Sequence, residues 1–169
     1  AGISREKCVF IPNGFDPNEI YQEHARKELE KLLDMNLDGR KIIFRGGRFV
    51  KHKGVEWFIR NVMPRLPKNY IFVAAGGIVL SKTAGDKNEY PSAKKATEEL
   101  GLSQRVKLLG NLSRADMKIL FNTADIYISP NIKVPGSMEG FGINAIEGAG
   151  CKKVVLASNL EGLNDAVQE

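Results

Sequence analysis

Glu139 and Glu147 bracket the stretch Glu139-Gly140-Phe141-Gly142-Ile143-Asn144-Ala145-Ile146-Glu147. A glycine-containing turn there runs into a helical pattern. A row of backbone N–H groups therefore leaves a helix start with a carboxylate on either side. The N–H groups and the helix dipole attract an anion, and the carboxylates accept from hydroxyls. A nucleotide sugar carries both kinds of group. Glutamates are common, and the spacing alone also suits a Glu139 that caps a turn and a Glu147 on a wet helix face. The surrounding motifs give the pair its weight.

The second motif is Gly46-Gly47-Arg48-Phe49-Val50-Lys51-His52-Lys53-Gly54. It does not match Gly-x4-Gly-Lys-Ser/Thr, and it lacks the Gly-x-Gly-x-x-Gly of a dinucleotide site. It offers an arginine and a lysine on one loop, able to converge on a diphosphate. The Arg48 fork can bind two oxygens while Lys53 acts as a mobile point charge. By itself the loop also suits two surface charges that aid solubility. No Asp-x-Asp, His-x-x-His or magnesium-type carboxylate cluster occurs in the sequence. The expectation is a site without metal or cofactor. A departing diphosphate would then be stabilised by Arg48, Lys53 and the helix start near Gly142. Nucleophilic catalysis has little support: Cys151 reads as a small core residue, and His24 and His52 read as wet surface histidines without an acid partner.

The elements that must position these residues alternate along the chain. Strands are predicted at residues 7–11, 41–45, 69–75, 105–109, 125–129 and 153–157. Helices are predicted at 20–33, where Leu29, Leu32 and Leu33 share a face, and at 55–62, 92–100, 142–148 and from 162 onward. Gly101 suits a left-handed helix end, and Ser113-Arg114-Ala115-Asp116 resembles a capping box opening a helix to Phe121. Such alternation predicts an α/β, Rossmann-like, doubly wound parallel sheet with helices on both faces. The glycine-containing loops after Arg45, Ala75, Leu109 and Ser129 then all face the side where such sheets bind ligands.

The bulk properties set the class. The chain has 169 residues, 43% hydrophobic and 27% charged, which predicts one domain over residues 1–169. Cys8 and Cys151 lie far apart, which argues against a disulfide scaffold or zinc site and fits a reducing compartment. The longest near-apolar run, residues 70–80, is about half of the roughly 20 residues a spanning helix needs. No secretory signal is visible, so the chain reads as cytoplasmic. Its formal charge of +5 admits an anionic partner. No nucleic-acid motif accompanies it, and the lysines of residues 82–95 read as a solvated face with at most weak attraction to an anionic membrane surface.

Four segments in register carry a resemblance. Val9-Phe10-Ile11-Pro12-Asn13-Gly14-Phe15-Asp16, the Gly47-Arg48 to Lys53-Gly54 loop, Ala124-Asp125-Ile126-Tyr127-Ile128-Ser129-Pro130, and Glu139-Gly140-Phe141-Gly142 to Glu147 resemble the donor-binding C-terminal domain of family 4 glycosyltransferases. These are GT-B enzymes that transfer sugars with retention. Lys153-Val154-Val155-Leu156-Ala157-Ser158 resembles the family's next strand.

The resemblance implies that Glu147 accepts from the ribose hydroxyls and Glu139 holds the donor sugar. The N–H groups of Phe141, Gly142 and Ile143 would meet the diphosphate or sugar, near Gly47, with Arg48 and Lys53 on the phosphates. The base would lie near Leu112. It further implies an acceptor, a glycan or lipid-linked sugar, bound by an N-terminal domain outside this sequence, which reads as a fragment of a two-domain enzyme. Asn144, Ala145, Lys153 and Glu161 depart from the family pattern, and residues 131–138, with Pro135-Gly136, read as a mobile approach to Glu139. Two rival readings stay open: a GT-B-like nucleotide-sugar epimerase, and a non-catalytic nucleotide-binding module.

Overall fold

The computed structural model describes residues 2–9, 11–78 and 88–167. In chain order the elements are α1 (Pro17–Ile20), α2 (Arg26–Leu33), β1 (Lys41–Gly46), α3 (Val55–Asn61), β2 (Tyr70–Ala75), α4 (Tyr90–Glu99), β3 (Val106–Leu109), α5 (Arg114–Thr123), β4 (Ile126–Ser129), α6 (Ile143–Gly150), β5 (Val154–Ala157) and α7 (Leu163–Ala166). A 3-10 turn, Lys51–Lys53, precedes α3. The five strands form one parallel sheet in the order β3-β2-β1-β4-β5. This is the Rossmann-like arrangement predicted. Strand order reverses between β1 and β4, where doubly wound sheets open a crevice beyond their carboxyl ends.

Alternating side chains build a core on each face of the sheet. Ile42 and Phe44 of β1 and Ile71, Val73 and Ala75 of β2 pack with Leu29, Leu33, Leu120, Phe121 and Ala145. Ile43, Phe72 and Ala74 point the other way, onto Val55, Phe58, Ile59, Ala93 and Ala96. This is the period-two pattern of strands covered on both faces. Phe44 meets Phe121 edge-on at 5.0 Å and Tyr127 at 5.7 Å, which locks α5 onto β1 and β4. Burying each such large side chain stabilises the fold by about 1.5–3 kcal/mol.

Two predicted elements differ. The strand expected at residues 7–11 is absent among the described residues; a 3-10 turn occupies Arg5–Lys7, and Val9 and Ile11 are 84% and 81% exposed. Phe10 lies outside the described residues. A strand needs a neighbour for its N–H and C=O groups, and the sheet's edges, β3 and β5, do not pair with this segment.

The helix expected over residues 20–33 forms only over Arg26–Leu33; Ile20 is the last residue of α1, and residues 21–25 are not helical. Tyr21 turns extended at φ −70°, ψ 122°. Asn122 on α5 takes the freed backbone, donating to Ile20 O at 2.9 Å and accepting from Gln22 N at 3.1 Å. Glu28 restarts the helix by accepting from Ala25 N at 2.8 Å. These hydrogen bonds replace the interior turns that a continuous helix would have made. Of the lysine-rich stretch, Lys94 and Lys95 are exposed on α4, and Lys82 and Lys87 lie outside the described residues.

Candidate functional site

The loops at the carboxyl ends of β1, β2 and β3 are laced together by their backbones. Phe49 N donates to Gly77 O at 2.9 Å and Gly76 N to Gly110 O at 3.0 Å. Gly76, at φ +145°, lies directly against the Gly47 carbonyl, where any side chain would overlap it. Arg45 holds the β1 loop from beneath. Its guanidinium is 1% exposed and donates to Gly47 O and, at 2.9 Å, to Arg48 O. Both carbonyls are thereby drawn inward. Burial pushes the Arg45 pKa down, opposed by Tyr127, Glu89 and Glu139. Glu89 steadies the far end of the loop, accepting from Val55 N at 3.2 Å and Glu56 N at 3.1 Å at the start of α3. Burial drives its carboxyl up to about 7.

Lys53, on the 3-10 turn, reaches across to the β4 side and pairs with Glu139 Oε2. Asn131 Nδ2 donates to the same oxygen at 2.8 Å. Glu139 Oε1 has no partner among the described residues. The two charged side chains are largely buried, at 15% and 12% exposure. Burial pushes the Glu139 carboxyl up, but the Lys53 ammonium and Asn131 amide outweigh it and hold the group below its ordinary value. Glu139 is therefore an ionised carboxylate with one oxygen engaged and the other open.

The α6 helix begins at Gly142, whose φ of +78° ends the turn in the left-handed region and whose missing side chain leaves room for Leu163. The N–H groups of Phe141, Gly142 and Ile143 make no hydrogen bond among the described residues. They form the donor row anticipated for an anion. One turn further, Asn144 Nδ2 donates to Glu147 Oε2 at 2.9 Å. Burial raises the Glu147 pKa, with Asn144 and Arg114 opposing. Asn144 Oδ1 sits 3.3 Å from where a Gly47 side chain would stand, which joins α6 to the β1 loop. Beside Glu147 opens a cavity of about 440 Å³, lined in part by Phe15, Arg114, Met117, Phe121 and Asn144.

The structure thus brings Gly47, Arg48, Lys53, Glu139, Phe141, Gly142, Ile143 and Glu147 into the segments that follow the central strands β1 and β4. Arg48 is exposed, with its Cγ 3.8 Å from the side-chain position of Gly77. Leu112 packs against the main core and does not line the cavity beside Glu147.

The histidines correct the expectation of two wet surface side chains. His52 is 5% exposed, and its Nδ1 is hydrogen-bonded to the Ser137 hydroxyl at 2.6 Å. His24 has an acid partner, Glu28, at 3.1 Å, and its Nε2 is buried. Each is covered by chain distant in sequence or by a helix restart, neither of which local pattern reveals. His52 also accepts from Ile132 N through its carbonyl at 2.9 Å, so residues 131–138 are tied down at both ends. Arg45, Glu89, Asn131 and Asn144 escaped sequence reasoning as supports of the site. A charged residue ending an apolar strand was the available signal for Arg45. No group of three or more His, Cys, Asp or Glu among the described residues is placed to hold a metal ion. No described helix is long and apolar enough to cross a membrane.

The chain is similar to known proteins in sequence and in fold. A family model described as "Glycosyl transferases group 1" matches residues 27–169. The N,N'-diacetylbacillosaminyl-diphospho-undecaprenol alpha-1,3-N-acetylgalactosaminyltransferase of Campylobacter jejuni is 27% identical over 170 residues, covering 98% of this chain and 40% of its own length. The D-inositol 3-phosphate glycosyltransferase of Mycobacterium leprae is 29% identical over 153 residues, covering 89% of this chain and 32% of its own length. The chain therefore spans two fifths or less of these curated relatives. In fold it is similar to Anabaena Alr3699/HepE, solved with UDP and glucose, at a TM-score of 0.82 and 22% identity over 99% of this chain and 42% of that one.

Proposed function

We propose that this chain, which belongs to the group 1 glycosyl transferases, is the donor-binding domain of a retaining family 4 enzyme of GT-B fold. In this reading it moves a sugar from a nucleotide diphosphate sugar to an acceptor without a metal ion. The carrying observation is the pair of glutamates flanking the start of α6, each with one oxygen engaged inside the protein and the other without a partner among the described residues. Glu147 takes the ribose hydroxyls, with the nucleoside in the adjoining cavity. The N–H row and the Arg48 and Lys53 side chains take the diphosphate. Glu139, beyond the turn, reaches the sugar.

The acceptor is a glycan or a lipid-linked sugar held by an N-terminal domain. The Campylobacter relative, named for a diphospho-undecaprenol-linked sugar, supports that class. Residues 1–169 alone bind nucleotide weakly and turn over little. The enzyme works on the cytoplasmic side, at most in weak peripheral contact with the membrane.

Replacing Glu147 by alanine tests the ribose assignment. Loss of a hydrogen bond to a charged group should weaken a nucleoside diphosphate by roughly 1.5–3 kcal/mol. Calorimetry with UDP, GDP and ADP measures it, and unchanged affinity for whichever binds would refute the assignment. The leaving-group argument predicts that the full-length enzyme keeps its activity in excess chelator, because Lys53, Arg48 and the helix start carry the diphosphate charge. Activity abolished by chelator and restored by magnesium or manganese would overturn it.

A further inference from the structure

The loop between β5 and α7 grips the turn that carries Glu139, and it does so through a residue that has had no role so far. Glu161 Oε2 accepts the Glu139 N–H at 2.5 Å, and Gly162 N–H reaches the Glu139 carbonyl at 3.4 Å. Gly162 lies so close to Gly140 that any side chain there would overlap the Gly140 carbonyl. The Glu139 side chain is fixed from other elements, by Lys53 and Asn131. Backbone N–H, backbone C=O and one carboxylate oxygen are all held. Of these groups of Glu139, only Oε1 is without a partner among the described residues.

Glu161 adopts φ +51°, a left-handed conformation that costs a side-chain-bearing residue energy and costs glycine little. Glycine would relax this backbone but could not accept the Glu139 N–H. The strain is therefore coupled to the hydrogen bond that Glu161 makes at the site. We propose that Glu161 is a positioning residue of the transfer reaction: by accepting the Glu139 N–H it fixes the turn so that Glu139 Oε1 meets the donor sugar. The inference rests on the role of Glu139 proposed above, and it extends the site to a loop beyond the Glu139–Glu147 segment.

The test uses the full-length enzyme with UDP-glucose, UDP-N-acetylglucosamine and GDP-mannose offered as donors. In Glu161→Gly, kcat should fall by about ten- to a hundredfold while the donor KM moves less than about threefold. The melting temperature should hold or rise, because the backbone strain is relieved. Glu161→Gln keeps an acceptor oxygen and should recover most of the rate.

Unchanged kcat in Glu161→Gly would overturn the proposal. So would a loss of rate that follows a fall in melting temperature and is not recovered by Glu161→Gln. A second measurement does not need turnover: the Glu139 amide should exchange with solvent deuterium at least about tenfold faster in Glu161→Gly than in the wild type, because its acceptor is gone. An identical Glu139 amide exchange rate in wild type and Glu161→Gly would refute the contact. Failure of the wild-type enzyme to transfer sugar from any nucleotide sugar would count against the proposed function instead, leaving the amide exchange to decide this contact.

Discussion

Glu139→Gln in the full-length enzyme is expected to lower kcat by about 10²–10³ while affinity for a free nucleoside diphosphate holds or rises. Glutamine keeps the shape and can still accept from Asn131, but it removes the charge that faces the sugar. A contact that strengthens as charge develops at the reacting centre acts on the transition state more than on the ground state. The hold on the diphosphate should not suffer, because the substitution also releases Lys53. That ammonium spends one of its donors on Glu139 and would be freed for phosphate. Steady-state kinetics with calorimetry on the free diphosphate separates the two effects. If the variant weakens the diphosphate as much as Glu147→Ala does, Glu139 serves the phosphate loop or the fold, and the division of labour between the glutamates is wrong.

Lys53→Ala should have a comparable effect for a different reason. It removes a phosphate cation and strips Glu139 of its counter-charge in a largely buried site. We expect a nucleoside diphosphate to bind about 10- to 100-fold more weakly, with the bare nucleoside nearly unaffected, since charged hydrogen bonds to phosphate contribute roughly 1.5–3 kcal/mol. Arg48→Ala should show the same selectivity and a smaller loss, because Arg48 is exposed and its charge is screened by solvent. Equal losses for diphosphate and nucleoside would mean that these residues serve folding or the base.

The pH profile gives an independent readout. Lys53 holds the Glu139 carboxyl below its ordinary value, so an activity that needs ionised Glu139 is lost only as pH falls through that lowered value. Without Lys53, burial is opposed only by Asn131 and His52, and the pKa moves up. The acid limb of kcat should therefore move to higher pH in Lys53→Ala. An acid limb that stays in place would separate Glu139 ionisation from the rate.

The parallel sheet was legible in the sequence because its strands are short apolar runs and its helices have caps that act locally. Ser113 accepting from Asp116 N, and Gly101 at φ +64°, are cases where side chain and backbone act within a few residues. The same locality exposed the two glutamates, the glycine turn between them and the basic β1 loop, since each depends on spacing along one segment. Where local pattern misled, a distant group had taken over the backbone or covered the side chain. Asn122 holds the start of the first predicted helix out of helical form from about a hundred residues away. Ser137 buried His52 from the opposite side of the crevice.

Residue types named the chemistry at the site, and only the tertiary structure decided how it is wired. Sequence put Arg48 and Lys53 together as a phosphate pair because they share a loop. The fold also turns Lys53 onto Glu139, since parallel strands β1 and β4 are neighbours in the sheet and their loops open onto one crevice. The same adjacency brings Asn131 to Glu139, and α6, which follows β4, brings Asn144 to Gly47. Arg45 and Glu161 had no meaning as isolated charges. They acquire it from burial beneath one loop and from contact with the backbone of another, which long-range packing alone creates.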